Sequence, residues 1–238
     1  MSAQIDVPKY TYLKRGVYYF VSLLILSCGT SVSNVHADTV LFDTGGKFAS
    51  IDLPNGNCDI SQSETGQFLK SFLEERAKSS GLGSEMPEVE VIFAPCSGFA
   101  GYPWGWIGSM NQDVKGVTQS MLNKYMENNI GGLIADIEGK VNSAESIESF
   151  EQATGFKIET QETGVPITLI SNDQHHLFSF SQTVEVEGQQ VNELVLTSSM
   201  VRNGRLIYMY ATELQNQPDS IMRLMNGLRS SASSLVVR

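Results

Sequence analysis

The most reactive side chain that this sequence singles out is a cysteine on a turn. Cys96 follows the apolar run Val89 to Ala94 in a Pro-Cys-Ser-Gly segment, and a turn after a strand is one place where enzymes hold a nucleophile. A nucleophilic thiol needs a nearby base, usually histidine, and a lowered pKa. Downstream of the N-terminal region the only histidines are His175 and His176, and nothing in their spacing pairs them with Cys96.

The segment SNDQHH, residues 171–176, offers a second type of chemistry, the binding of a metal ion. Asp173, His175 and His176 are all suitable ligands. Neighbouring histidines on a strand point to opposite faces, so at most one of them can join Asp173, and a tetrahedral zinc site would need ligands from elsewhere. We therefore expect a solvated polar turn here. The alternative is a metal-assisted hydrolase that uses the strand of His175 and His176.

Residues 1–37 have the order of a secretory leader. Basic Lys9, Lys14 and Arg15 precede the apolar run Gly16 to Leu26, and small residues follow up to Ala37. The apolar run is shorter than the roughly 20 residues that a membrane-spanning helix needs. The pattern predicts a signal peptide that is cut after Ala37 and a single mature domain, residues 38–238, outside the cytoplasm.

A second cleavage position is also compatible with the leader. The segment LLILSC places Cys28 where a bacterial lipobox has the cysteine that receives a lipid. Cutting before Cys28 would leave a short polar tether and anchor the domain to a membrane through that lipid. The two alternatives differ only in attachment, because both place the domain in the periplasm or outside the cell.

The two remaining cysteines, Cys58 and Cys96, are predicted to form a disulfide. An even number of cysteines in an exported chain favours a disulfide over free thiols. Each cysteine ends a segment with strand character, ASIDLPNGNC or VEVIFAPC, so neighbouring strands would bring both turns to one sheet edge. We therefore interpret Cys96 as structural and not as a nucleophile.

Composition and charge restrict the class of partner. The chain has a formal net charge of −10, and removing the leader, with its three basic residues and Asp6, leaves 13 basic and 25 acidic residues. Such a surface repels nucleic acid, so we expect a protein or small ligand of the cell envelope as partner. The sequence has no phosphate loop, Gly-x-Ser-x-Gly, His-Glu-x-x-His or paired zinc cysteines, so we predict no cofactor and no catalytic residue.

The first half of the mature chain predicts strands and helices in alternation. TVLFD and KFASIDLP flank a Thr-Gly-Gly turn that is typical of a hairpin. A capping box at Ser61 to Glu64 predicts the start of a helix, and strands are predicted before the second cysteine and from Trp104 to Met110. Another helix is predicted from Val117. Asn128 to Gly132 should interrupt it before a third helix, Leu133 to Phe150.

From Phe156 onward the hydrophobic period changes to two, which is typical of strands. Five successive segments have this character: FKIETQE, ITLIS, LFSFSQTVEVEG, NELVLTSSMV and RLIYMYATEL. Asn203-Gly204 predicts a hairpin between the last two, and Pro218 opens a terminal helix with one apolar stripe. The order predicts an α+β fold, in which helices pack on a mostly antiparallel sheet.

This order of elements resembles the PsbP-like family. The resemblance rests on LPNGNC after the first hairpin, on the helix and strand that lead to the second cysteine, and on NGRLIYMY before the terminal helix. It spans roughly Val40 to Val236. The family is an α/β/α sandwich that includes an extrinsic photosystem II subunit, a Ran-binding nuclear transport factor and exported bacterial proteins. The resemblance implies an exported bacterial member with a non-catalytic binding or assembly role, and it transfers no site residue.

The best candidate for a partner surface is the aromatic segment Phe99 to Trp106. Tyrosine and tryptophan provide large contact areas with polar groups at their ends. Trp104 and Trp106 fall on one face of a predicted strand, which favours core packing, but one exposed ring would suffice for a partner site. We expect Tyr102 and Trp104 to be exposed, because Trp106 lies further into the strand. The predicted function is an exported, non-catalytic binding or accessory module.

Overall fold

The structure, a computed structural model, describes residues 38–238 except 84–85, 99–101, 111–112, 155–157 and 187–188. Two predictions, cleavage of the leader after Ala37 and lipidation of Cys28, concern residues outside the described part. Phe99 of the aromatic segment also lies outside it. No helix within the described ranges is long and apolar enough to cross a bilayer. Its helices are α1 (Glu64–Ser79), α2 (Gln119–Val141), α3 (Ala144–Thr154) and α4 (Pro218–Ser234).

The strands of the described residues form two antiparallel sheets. They are β1 (Thr39–Asp43), β2 (Phe48–Asp52), β3 (Asn57–Asp59), β4 (Glu88–Pro95), β5 (Trp104–Ser109), β6 (Ile158–Thr163), β7 (Ile167–Ser171), β8 (His176–Val186), β9 (Gln189–Arg202), β10 (Arg205–Leu214) and β11 (Val236–Val237). The larger sheet has the order β3-β4-β5-β10-β9-β8-β6, with β7 also paired to β8, and the smaller has the order β1-β2-β11. The predicted α+β class is confirmed, whereas the second sheet was not predicted.

Both faces of the larger sheet are buried. On β8, Leu177 packs with α4 and the smaller sheet, whereas the next residue, Phe178, packs with α2. On β9, Leu196 likewise packs on the side of α4 and the smaller sheet, and Val195 packs on the side of α2. Successive side chains of a strand point to opposite faces, so these strands are apolar in both alternating positions. The result is three layers, with α1, α2 and α3 on one side and α4 with the smaller sheet on the other.

The first helix begins two residues later than the capping box predicts. Ser63 is the N-cap, and its hydroxyl accepts a hydrogen bond from the Gly66 amide at 3.0 Å. Ser61 instead accepts a hydrogen bond from the Ile92 amide at 2.8 Å, which ties the start of the helix to β4. The prediction of Ser61 as the cap is wrong because a tertiary contact takes its hydroxyl.

The second helix continues through the segment that was expected to interrupt it. The Asn128 and Asn129 side-chain amides donate to the carbonyls of Lys124 and Tyr125, at 2.6 and 2.7 Å, within the same helix. These bonds leave the helical backbone intact. The observed break comes at Asn142 and the adjacent Ser143, so the predicted boundary at 128–132 is wrong.

The terminal helix α4 and the strand after it cover the face of the larger sheet opposite α1, α2 and α3. Pro218 occupies the first turn of α4, as predicted, and Leu224, Leu228 and Ala232 are buried. After Ser234 the chain becomes extended and pairs with β2 as β11. This pairing creates the smaller sheet, because the β1–β2 hairpin alone has no other strand beside it in the described residues.

The predicted disulfide is confirmed. Cys58 lies in β3 opposite Ala94 of β4, and Cys96 comes directly after that strand. The antiparallel pairing places the two Cα atoms 5.0 Å apart, and a disulfide joins the sulfur atoms. Cys96 therefore has no free thiol, and the interpretation of this turn as structural holds.

Removing this disulfide should destabilise the domain without changing its fold. The bond closes a sequence separation of 38 residues. The loss of loop-closure entropy in the unfolded chain predicts a cost of about 3–4 kcal/mol. Guanidinium unfolding of the wild type and of the Cys58→Ala/Cys96→Ala variant measures the difference. Rapid thiol labelling of the native, unreduced protein at neutral pH would contradict the assignment.

Candidate functional site

Three aromatic rings lie side by side on the helical face of the larger sheet, and we call them the aromatic row: Trp104, Trp106 and Tyr210. Trp106 stacks on Tyr210 with a centroid distance of 5.5 Å and an interplanar angle of 13°. Trp104 lies 6.2 Å from Tyr210 at a tilted angle of 50°. Tyr210 contacts both the cluster beneath α2 and the cluster beneath α1, so the row spans the seam between these two helices.

The close strand contact beside the row requires a glycine between the two tryptophans. A Cβ atom on Gly105 would lie 2.2 Å from the Tyr210 carbonyl oxygen and 2.3 Å from the Phe93 ring. Side chains on either side of Gly105 point to the helical face, where they meet Tyr210. The WGW pattern therefore combines two ring positions with one position that accepts no side chain.

A buried carboxylate lies at the end of the aromatic row, in what we call the Glu193 network. Glu193 on β9 is 8% exposed. Its Oε1 accepts a hydrogen bond from the Tyr102 hydroxyl, and its Oε2 accepts from Gln182 Nε2 at 3.0 Å and Thr212 Oγ1 at 3.2 Å. One carboxylate thereby joins four segments of the chain: β8, β9, β10 and the residues that come just before β5.

Burial and the contacts of the network shift the pKa values of Glu193, Tyr102 and Tyr210. Burial raises the pKa of Glu193 above its ordinary value of 4.5, while the hydrogen bonds from Tyr102, Thr212 and Gln182 act in the opposite direction. Burial, followed by the charge of Glu193, raises the pKa of Tyr102. The same two causes raise the pKa of Tyr210. Both phenols therefore remain protonated at neutral pH, and that of Tyr102 donates its hydrogen bond to Glu193.

The two residues expected on the partner surface are only partly accessible. Tyr102 is half-buried, because its hydroxyl points inward to Glu193, and Trp104 is half-buried against Tyr210. Trp106 is 7% exposed, in agreement with its expected position further into the strand. The expectation of exposed Tyr102 and Trp104 rings therefore needs correction: both residues are half-buried.

The two histidines are buried, so the expectation of a solvated turn is wrong for them. His175 is 1% exposed and His176 is 0% exposed. Positive charge on Arg229 of α4 and Arg202 acts on His175, whereas negative charge on Glu127 of α2 acts on His176. The imidazoles thus face opposite sides of the sheet, one toward each covering layer.

The structure does not join these histidines to further ligands in the part of the chain that it describes. Asp173 is exposed, and the His176 Nε2 atom lies 3.3 Å from the Thr168 hydroxyl. Among the described residues, the set of three metal-ligating groups close enough to share an ion is Asp38 with Cys58 and Cys96, and both sulfur atoms are in the disulfide. No described arrangement therefore supports the metal-assisted hydrolase.

Sequence reasoning missed the Glu193 network. One signal was present: Glu193 has the same strand parity as Val195, a core residue, so a charged residue occupied an inward position. Gln182 and Thr212 carried no such signal. They reach Glu193 only through the register of β8, β9 and β10, which the sequence does not specify.

The arrangement is suited to holding an aromatic ring in position. Both oxygens of Glu193 accept hydrogen bonds from protein donors, which hold the carboxylate in place. The carboxylate in turn fixes the orientation of the Tyr102 ring at the end of the aromatic row. Tyr102 and Trp104 each keep part of their surface exposed to solvent.

Comparison with known proteins yields structural likeness only. No family model and no curated protein matches the chain. It is similar to the solution structure of cyanobacterial PsbP (CyanoP) from Synechocystis sp. PCC 6803, with 13% identity, a TM-score of 0.41, and coverage of 90% of this chain and 99% of that one. It is also similar to the crystal structure of the Saccharomyces cerevisiae Ran-binding protein Mog1p, with 7% identity, a TM-score of 0.41, and coverage of 84% and 95%. At these values the likeness assigns no family and carries no argument about function.

The buried Glu193 carboxyl should make stability depend on pH in a defined direction. Its folded-state pKa lies above 4.5, so the folded protein retains a proton that the unfolded chain loses as the pH rises. Relative to the Glu193→Gln variant, the unfolding free energy of the wild type should therefore fall as the pH increases above about 4.5. Urea unfolding from pH 4 to 8 measures this difference, with exposed Glu151→Gln as the control. A wild-type-minus-variant difference that is constant across this range would contradict the prediction.

The buried histidines should act in the opposite direction. Burial lowers the pKa of His175 and of His176 below 6.5, and Arg229 and Arg202 add to the effect at His175. Their contribution is fully present above the unfolded value of 6.5 and is lost as the pH falls, because the unfolded chain then binds protons that the folded protein excludes. His175→Gln should reduce the loss of unfolding free energy between pH 7 and pH 5. If His175→Gln loses as much unfolding free energy between pH 7 and pH 5 as the wild type, the prediction for His175 is wrong.

Proposed function

We propose that this chain is an exported, non-catalytic binding module that contacts a protein partner through the solvent-facing side of Tyr102 and Trp104. The observation that carries the proposal is the hydrogen bond from the Tyr102 hydroxyl to the buried Glu193 carboxylate. A buried carboxylate is costly for a fold, and here its donors hold an aromatic ring in one orientation at the surface.

Preorganisation is the physical advantage of such a surface. The segment that leads into β5 begins at disulfide-bonded Cys96 and ends at Tyr102, which is bonded to Glu193. Trp104 is packed from below by Tyr210. Rings whose orientation is fixed before association lose less conformational entropy when a partner binds, so more of their contact energy appears as affinity. Tyrosine and tryptophan are also the residue types that most often dominate binding energy at interfaces.

The proposed compartment follows from the leader pattern and the disulfide together. Structural disulfides persist in oxidising compartments, and a disulfide between Cys58 and Cys96 fits an extracytoplasmic domain. Attachment through a lipid on Cys28 is the alternative to release after cleavage at Ala37. The acidic mature chain fits a partner surface that is neutral or basic.

A single substitution on each of two surfaces tests the proposal. Trp104→Ala removes a half-buried ring of the proposed surface, and Tyr125→Ala removes an exposed ring of α2, 52% exposed, as a matched control. Cross-linking of the purified mature domain in an envelope extract, followed by mass spectrometry, identifies partners that the wild type and Tyr125→Ala capture equally. Affinity of such a partner for Trp104→Ala should be about 30-fold lower, which corresponds to a hot-spot contribution of about 2 kcal/mol.

A folded Trp104→Ala protein with undiminished affinity for the same partner would contradict the proposal. Circular dichroism and the melting temperature establish whether the variant is folded. If Trp104→Ala unfolds, Tyr102→Phe serves instead, because it keeps the ring and removes only the hydroxyl that Glu193 holds. Its affinity should fall by a smaller factor than that of Trp104→Ala, and an unchanged value would count against the role of the Glu193 network.

A further inference from the structure

A cavity of about 590 Å³ lies between the helical layer and the larger sheet, beside the aromatic row. Its walls come from α1, α2, the start of β4 and the Trp106 ring of β5. The lining is mostly apolar and includes Leu73, Leu82, Val89, Trp106, Ile137 and Val141. Cavities of this volume, with apolar walls and few polar groups, are typical of sites for small molecules.

One charged group in the wall of this cavity, Arg76, has terminal nitrogens that reach no hydrogen-bond acceptor in the part of the chain that the structure describes. Arg76 of α1 is 9% exposed, and neither of its terminal guanidinium nitrogens, Nη1 and Nη2, has a hydrogen-bond partner among the described residues. Its guanidinium carbon lies 5.4 Å from the centroid of the Phe150 ring, a cation–π contact that accepts none of its N–H groups. Burial lowers the pKa of Arg76. Buried arginines are ordinarily paired, so this one lacks an acceptor that a bound molecule would provide.

The rim of the cavity restricts the charge of that molecule. Glu74 and Glu88 line the cavity and are exposed to solvent. Their carboxylates would repel a dianion such as a phosphate monoester or a dicarboxylate more strongly than a single negative charge. A planar carboxylate also matches the guanidinium geometry, because its two oxygens can accept parallel hydrogen bonds from one arginine.

We propose that this cavity binds a small amphipathic monocarboxylate, with its carboxylate on Arg76 and its apolar body against Leu73, Val89 and Trp106. The site is separate from the Tyr102–Trp104 surface and does not depend on the proposed partner. The ligand class follows from three features: an apolar cavity of sufficient volume, one unpaired buried cation, and acidic residues at the rim.

Decanoate and decanol are suitable probes, since they share a chain length and differ in the acid group. Titration of the mature domain, followed by tryptophan fluorescence and calorimetry, should show saturable binding of decanoate. Decanol should bind about 10- to 100-fold more weakly, the factor expected for a hydrogen-bonded charged group. Arg76→Met keeps an unbranched apolar side chain without the guanidinium group, and it should bind the two probes with similar affinity. Lys78→Gln, at an exposed cation of the same helix that is paired with Glu75, should behave as the wild type.

The main test compares the affinities of the wild type for decanoate and decanol, so it does not require that Arg76→Met fold. Absence of decanoate binding, or equal affinity for decanoate and decanol, would overturn the proposal. A folded Arg76→Met variant that still prefers decanoate would do the same. If Arg76 is held only by its contact with Phe150, Arg76→Met should leave every probe affinity unchanged, which also overturns it. Capture of a protein partner through Trp104 is a different measurement, so either proposal can fail alone.

Discussion

Burial of the larger sheet on both faces is the constraint on which the rest of the structure depends. The helices α1 to α3 cover one face, and α4 with the smaller sheet covers the other. Strands β8, β9 and β10 therefore carry apolar side chains in both alternating positions, as Leu177 beside Phe178 illustrates. Polar residues in the central part of these strands, such as Glu193 and Ser198, are buried as well, and each must find a partner within the protein or remain without one.

Among the described residues, some buried polar groups have hydrogen-bond partners and others do not. Glu193 has donors on both oxygens, and these donors come from three neighbouring segments, so the group is satisfied and fixes Tyr102. Neither ring nitrogen of His175 and neither terminal nitrogen of Arg76 has such a partner. A satisfied buried group rigidifies its surroundings, whereas an unsatisfied one retains an unpaired hydrogen-bonding capacity. This difference is why Glu193 is assigned a positioning role and Arg76 a role in binding.

The two proposed sites are joined by continuous packing. Trp106 lines the cavity of Arg76 and stacks on Tyr210, which in turn packs against Trp104 of the proposed partner surface. Gln182 bonds to Glu193 and also contributes a hydrogen bond to Tyr210. The aromatic row thus lies between the cavity and the proposed partner surface, and Gly105 permits the close strand packing beneath the row. Both sites depend on the register between β5 and β10.

Local sequence patterns determined the elements: the hairpin turns, the five strands after residue 157, the Pro218 start of α4 and the pairing of Cys58 with Cys96. These depend on turn geometry, on strand periodicity and on the parity of two cysteines, which are properties of short segments. Only the tertiary structure decided that Ser61 bonds to β4 and is not a cap, that α2 continues through Asn128, and that β11 completes a second sheet. It also decided that both histidines are buried and that Tyr102 faces Glu193. Each of these outcomes depends on contacts between residues far apart in the chain, and such contacts are set by strand register and by the layer that covers each face.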